Sequence, residues 1–205
     1  MAAIDSRIYL ASRSPRRRDL LAQIGVRFDL LLFRAAPRAD VEVDETPLPQ
    51  EHAEDYVVRV ARSKAIFAAR LLNVRHLPPR PVLAADTTLE LDGEIIGKPA
   101  DNADAQRILA RLSGRRHRVL TAIAVTDQIR LEHRLNISEV SFRSLDADEI
   151  RRYVLSGEAS DKAGAYGIQG RAAAFIEEIR GSHSGIVGLP LCDTVLLLKQ
   201  FGIVV

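Results

Sequence analysis

Helix-period and strand-period segments interleave along this chain without strict βαβ alternation, and that order confines the fold to a mixed α/β sheet. The helix-period segment is His52 to Leu72, where Val57, Val60, Ala61, Ala65, Ala68, Leu71 and Leu72 recur on one face. The strand-period segments are Val119 to Val125 and Arg130 to Phe142, which predict two long antiparallel strands. At 205 residues and 47% hydrophobic, the chain carries enough apolar mass for a single domain spanning 1–205.

The other elements follow from local signals. A short strand is predicted at Ile8 to Ala11, then a helix opened by Ser14 as N-cap with Pro15 at its first position and closed by Gly25. Phe28 to Phe33 reads as a strand, and Pro81 to Ala85 as a buried one ending on Asp86 and Thr87. Leu89 to Ile96 is a hairpin around Asp92-Gly93, followed by a helix from Asn102 to Leu112. Asp146 caps a helix running to Leu155, and the Gly-rich stretch SGEASDKAGAYGIQG leads to a strand at Ala174 to Ile179, a turn at GSHSG and a last helix from Leu191 to Phe201.

One cysteine, Cys192, leaves no internal disulfide and no thiolate zinc cage, which points to a reducing compartment. MAAIDSRIYLAS carries charges where an export signal needs an unbroken apolar stretch, and no apolar run approaches the roughly 20 residues of a membrane helix. The expectation is a cytoplasmic protein without a membrane partner. A net charge of +2 is too small for a nucleic-acid footprint. Of 29 basic residues only Lys64, Lys98, Lys162 and Lys199 are lysines, so a lysine here marks a place where a compact ammonium does what a planar guanidinium does not.

Five places carry chemistry. SRSPRRRDLL puts Arg16, Arg17 and Arg18 into the first turn of a helix, where the backbone's partial positive charge disfavours cations. An anion resolves the conflict, with Ser12 and Ser14 as further donors; the alternative is a solvated basic cap. In VLAADTTLEL, Asp86 at the mouth of a buried strand is placed to hold a divalent metal or take a proton from water, against the alternative of a structural turn Asp. Asp44-Glu45 in VEVDETP is an acidic pair suited to completing a hard-metal site or to being solvated. Lys98 in GEIIGKP can reach a phosphate as a point charge, although the spacing is not that of a Walker A loop. In DKAGAYGIQG, Gly164, Gly167 and Gly170 would let a ligand approach the backbone, with Tyr166 and Gln169 as candidate base-contacting groups; the alternative is a plain loop.

Together these blocks resemble the Maf family of nucleoside triphosphate pyrophosphatases, from LASRSPRRRDLLAQIGVRF through DE, ARSKA, AADTTLELDGEIIGKP and LSGRRHRVLTAIAV to SGEASDKAGAYGIQGRAAAFIEEIRGSHSGIVGLPL. The DKAGAYGIQG segment is similar to the branch acting on dTTP and UTP. The resemblance implies an elongated α/β fold, a mixed sheet flanked by helices with a central cleft (the Maf/ITPase-like class), in a homodimer. It implies cleavage between the α and β phosphates with a divalent cation, Mg or Mn. Asp86 matches the catalytic base. Ser12, Arg16, Arg17, Glu45, Lys64 and Lys98 match polar residues around the phosphates, and Arg16, Thr87 and Gln169 match positions tied to pyrimidine choice. Arg13 stands where the family has Gly or Ala, so it either adds to the phosphate site or blocks it.

The expected chemistry is attack by water on the α phosphorus, with Asp86 as base, a metal held by Asp86 and Glu45, and Arg16, Arg17, Lys64 and Lys98 neutralising the leaving pyrophosphate. Such an enzyme would keep non-standard nucleotides out of nucleic acid and is linked to cell division arrest. The alternatives are a pyrophosphatase for modified nucleotides, or a nucleotide-binding regulator of septum formation with little turnover.

Overall fold

The computed structural model describes residues 7–33 and 43–205. The expectation about an export signal therefore falls partly outside the described residues, as do the first two residues of VEVDETP.

Seven strands form one sheet in the order β2 (Phe28–Leu30), β1 (Ile8–Leu10), β3 (Val82–Leu91), β5 (Arg116–Thr126), β6 (Leu131–Phe142) and β7 (Ile176–Arg180), with β4 (Glu94–Ile96) paired to the far end of β3. β1 runs parallel to both β2 and β3, whereas the neighbouring pairs β3–β5, β5–β6 and β6–β7 are antiparallel, so the sheet is mixed as expected.

Among the described residues, six α-helices flank it: α1 (Pro15–Gln23), α2 (Ala53–Val74), α3 (Asn102–Leu112), α4 (Ala147–Leu155), α5 (His183–Val187) and α6 (Leu191–Gln200). The apolar stripe of α2 packs on Val82, Ala84, Leu120, Ala122 and Ala124 of one sheet face. Leu20 and Leu21 of α1 and Leu197 and Leu198 of α6 cover Leu83, Ala85, Ile123 and Val125 of the other. A third cluster, around Leu89, Leu109, Phe142, Tyr153, Tyr166 and Phe175, lies at the far end of the long strands with α3 and α4. β3, β5 and β6 thus join two packed regions, and the candidate residue Asp86 sits on β3 between them.

Local signals account for most boundaries. Asp146 and Glu149 form a reciprocal capping box at α4, and the Asp101 side chain accepts from the Asp104 amide at α3. Ser14 occupies the N-cap position of α1, but its side chain makes no cap bond; Ser12 Oγ instead accepts from the Ser14 amide at 3.2 Å.

The structure corrects three expectations. The strand predicted to end at Asp86 continues to Leu91, because β5 offers an unbroken partner from Thr126 to Arg118 and the β-branched Thr87 and Thr88 suit a strand. The strand predicted at Phe28 to Phe33 is only three residues long, since β1 ends at Leu10 and provides no further ladder. GSHSG is the start of a short helix rather than a turn, capped by Ser182 Oγ accepting from the Gly185 amide at 3.0 Å.

Candidate active site

The site is a consequence of unequal strand lengths. One edge of β3 pairs with β5 throughout, but the other pairs with β1 only at Val82 and Leu83 and with β4 only from Leu89 onward. Between them, residues 84–88 face a gap in the sheet. Side-chain alternation points Asp86 toward α2 and Thr87 toward α1 and α5.

Asp86 is 7% exposed, so its carboxylate needs partners. The Lys64 ammonium, carried on the inner border of α2, lies 2.8 Å from Asp86 Oδ1 and 2.8 Å from Glu45 Oε1. Tyr56, two turns earlier on α2, donates from its hydroxyl to the Glu45 carbonyl at 2.9 Å and holds the acidic segment against the helix. Burial, with Asp86 and Glu45 nearby, pushes the Tyr56 phenol up to about 12, so it stays a donor. Of the acidic pair, only Glu45 joins the site: Asp44 closes a turn by accepting from the Thr46 amide at 2.8 Å.

On the opposite face, Arg17 directs its donors at the protein. Nε donates to the Gly188 carbonyl at 2.8 Å, Nη1 to the Ala85 carbonyl at 2.9 Å, and Nη2 to Thr87 Oγ1 at 3.1 Å, with Ser12 Oγ 3.5 Å from Nη1. Burial lowers the Arg17 pKa, partly offset by the charge of Asp86. Gly188 presents this carbonyl from a backbone at φ +123°, a conformation that favours glycine, although a Cβ there would make only ordinary contact, 3.5 Å from Arg17 Nε and Thr87 Oγ1. Thr87 Oγ1 also lies 2.9 Å from Thr121 Oγ1, whose hydroxyl donates to the Gly185 carbonyl at 2.8 Å.

Arg16, next on α1, points to the Gly-rich segment, with Nη1 3.7 Å from Asp161 Oδ2. Burial acts to raise the Asp161 pKa, but the hydrogen bond from Lys162 and the charges of Lys162 and Arg16 outweigh it. Lys98 is exposed after β4, and the Gly97 carbonyl beside it accepts from the Gly164 amide at 3.0 Å, joining the hairpin to the same segment. Gln169 is exposed in the turn before Arg171. Arg13 neither joins the cluster nor covers it, for its Nη2 donates to the Phe33 carbonyl at 2.7 Å.

The structure thus groups Asp86, Lys64 and Glu45 on one face of β3, and Ser12, Arg17 and Thr87 at its open edge and other face. Arg16, Lys98 and Gln169 lie on the flanking segments without direct contact to these. Sequence reasoning missed Thr121, Tyr56, Asp161 and Gly188; only the Gly-Leu-Pro at 188–190 carried a local signal, that of a tight turn before a helix.

Among the described residues, no cluster of three or more His, Cys, Asp and Glu side chains is present. The two carboxylates nevertheless suit a hard divalent cation that draws its remaining ligands from water and phosphate, and the Lys64 ammonium already bridges them as a positive charge.

The Maf-like protein family profile matches residues 7–201, and the chain belongs to that family. A protein of Aromatoleum aromaticum named dTTP/UTP pyrophosphatase is 63% identical over 203 residues, covering 98% of each chain. One of Dechloromonas aromatica with the same name is 60% identical, covering 96% of this chain and 98% of its own. Among solved structures, the Staphylococcus aureus Ham1 protein covers 95% of this chain and 97% of its own at 17% identity and a TM-score of 0.49.

Proposed function

We propose that this chain hydrolyses dTTP and UTP to the nucleoside monophosphate and pyrophosphate. The observation that carries the reading is the gap in β3, where a buried carboxylate, its lysine and a second carboxylate meet the arginine-bearing N-terminus of α1. The names of relatives up to 63% identical over nearly the whole chain support it.

In this reading Asp86 accepts a proton from water as the oxygen attacks the α phosphorus, and the bond to the bridging oxygen of the β phosphate breaks in line. One water is consumed, and pyrophosphate carries away the electron pair of the broken bond. Arg16, Lys64 and Lys98 supply positive charge to the phosphates, with Ser12 as a hydroxyl donor at the foot of α1. A divalent cation, Mg or Mn, held by Asp86 and Glu45, would polarise the phosphoryl oxygens. Arg17 lies beside these groups and Thr87 at the base side. The Gln169 amide pairs with the O4 and N3–H edge common to uracil and thymine, which cytosine presents with donor and acceptor reversed.

No helix among the described residues is long and apolar enough to cross a membrane. A cytoplasmic homodimer that binds neither nucleic acid nor membrane completes the reading, with the family resemblance as support for the dimer.

The test is product analysis with dTTP, UTP and CTP in the presence of Mg²⁺ or Mn²⁺. Pyrophosphate from dTTP and UTP in preference to CTP is the expected result. Orthophosphate would place attack at the γ phosphate and overturn the assignment, as would an absence of turnover.

A further inference from the structure

Following the hydrogen-bond ladder along the open edge of β3 singles out Arg17. The carbonyls of Pro81 and Leu83 point to that edge and accept from the amides of Tyr9 and Ala11 at 2.8 and 2.9 Å. The next carbonyl in the same direction is that of Ala85, at a level where β1 has already ended. Arg17 Nη1 meets it at 2.9 Å, the distance a strand amide would take. The guanidinium therefore continues the ladder one step past the end of the strand.

Its other contacts fix what surrounds that step. Nη2 grips Thr87 on the far side of Asp86, and Nε is tied to Gly188 behind it. A guanidinium has five N–H donors, and four contacts leave at most one, on Nη2, for a ligand. Thr87 is also held from a second direction. The Thr121 hydroxyl has one hydrogen and gives it to the Gly185 carbonyl, so in the contact between the two threonines Thr87 must be the donor. Thr87 thus accepts from Arg17 and donates to Thr121, which is 1% exposed.

We infer that Arg17 and Thr121 are positioning residues for Asp86, and that Arg17 serves the reaction by completing the β3 edge rather than by binding phosphate. Holding the Ala85 carbonyl and the Thr87 side chain fixes the backbone on both sides of Asp86 and so the direction in which its carboxylate leaves the strand. Without those ties, the gap would expose an unpaired stretch of strand at the point where the geometry of a proton transfer matters most.

This inference rests on the reading of Asp86 as the base, and two measurements separate their failures. In the full-length protein, Arg17→Lys keeps the charge but cannot reach four acceptors at once. It should lower kcat on dTTP by about tenfold to a hundredfold, the cost of a small misplacement. Binding of α,β-methylene-dTTP, which cannot be cleaved at that position, should change by less than about threefold, because the Arg17 donors are spent on protein acceptors and not on the phosphates. Thr121→Val, nearly the same size, should also lower kcat, and Thr121→Ser should restore it.

Hydrogen exchange of the amides at 85–88 supplies the readout independent of turnover: exchange should speed up in Arg17→Lys and in Thr121→Val. Loss of analogue affinity in Arg17→Lys with kcat maintained would make Arg17 a phosphate ligand and overturn the inference. Unchanged exchange at 85–88 in both variants, or wild-type kinetics in Thr121→Val, would also overturn it. A wild-type protein that releases no pyrophosphate defeats the functional reading, while the exchange experiment still decides whether Arg17 and Thr121 hold the strand.

Discussion

Lys64 Nζ lies 2.8 Å from Asp86 Oδ1, and the same ammonium reaches Glu45 Oε1 at an equal distance. One side chain on α2 thus neutralises a buried carboxylate and draws a second one, from the segment before the helix, to the same point. Neither the strand nor the acidic segment would bring these oxygens together alone, since like charges repel. The arrangement explains how a carboxylate can be buried on the inner face of a sheet without a turn to satisfy it.

Asp86→Asn keeps the size and an acceptor for Lys64 but removes the proton acceptor. Pyrophosphate release should fall by about 10²- to 10⁴-fold, the usual contribution of a general base. Calorimetric titration with α,β-methylene-dTTP should still detect binding. Near-normal rates would show that another group takes the proton.

Lys64→Ala removes the shared cation and leaves the two carboxylates facing each other. The Lys64 and Asp86 side chains are 15% and 10% exposed, so water screens them poorly. Folding stability should drop by about 2 kcal/mol, the worth of a charge-assisted hydrogen bond, and Tm by about 4–8 °C. Thermal unfolding at neutral pH gives the answer, and Lys64→Arg should recover part of the loss.

Gly164 faces the third core cluster at φ +73°, where a Cβ would stand 2.4 Å from Leu89 Cδ1. Gly164→Ala therefore adds a left-handed backbone penalty to a steric clash. Displacing this glycine should also disturb its amide contact with the Gly97 carbonyl, beside Lys98. A stability loss of about 2 kcal/mol in urea unfolding is expected, together with a higher KM for dTTP. A variant with unaltered KM would uncouple the Gly-rich segment from substrate binding.

His117 gives the fold an acid limit. It is buried, with Nε2 2.8 Å from the Tyr166 hydroxyl and Nδ1 without a hydrogen-bond partner, and burial lowers its pKa from 6.5 to about 4. Between these values the unfolded chain binds a proton that the folded chain refuses. Its contribution is therefore fully present above pH 6.5 and is lost as pH falls through 4, a change of up to about 3 kcal/mol. Urea unfolding across pH 4 to 7 should show that slope. His117→Gln should flatten it, and an unchanged slope would assign the acid sensitivity to carboxylates instead.

How much of this could be read from the sequence differs by residue. The α2 stripe, the hairpin at Asp92-Gly93, the helix from Asn102 and the cap at Asp146 were legible because each depends on neighbours within one or two turns. Local chemistry singled out most of the site residues and the block resemblance supplied their roles, and Lys64 and Glu45 do converge on Asp86 in the structure. The environment of Asp86 was not legible: a strand end was expected, whereas the strand runs on and it is β1 that stops. Where a neighbouring strand ends is a property of pairing, not of the residues around Asp86. The bonds of Arg17 were hidden for a similar reason, since they join residues 5, 68, 70 and 171 positions away. A run of three arginines in a first helical turn signals unspent positive charge, but it does not tell which of them turns inward.

Selectivity supplies the last prediction. Gln169 is exposed on the segment that Arg16 approaches through Asp161, so it can meet a base without itself bracing the fold. Its amide offers both a donor and an acceptor, and a fixed orientation favours the O4 and N3–H edge of uracil and thymine over the reversed edge of cytosine. Gln169→Ala should therefore leave Tm unchanged and lower kcat/KM for dTTP and UTP by about tenfold, while CTP, expected to be a poor substrate of the unaltered protein, should change little. The ratio of kcat/KM values for UTP and CTP is the measurement. If that ratio survives the substitution, recognition of the base must come from the β3 side, where Thr87 has both its hydroxyl hydrogen and one lone pair already engaged and only a single acceptor position left to discriminate with.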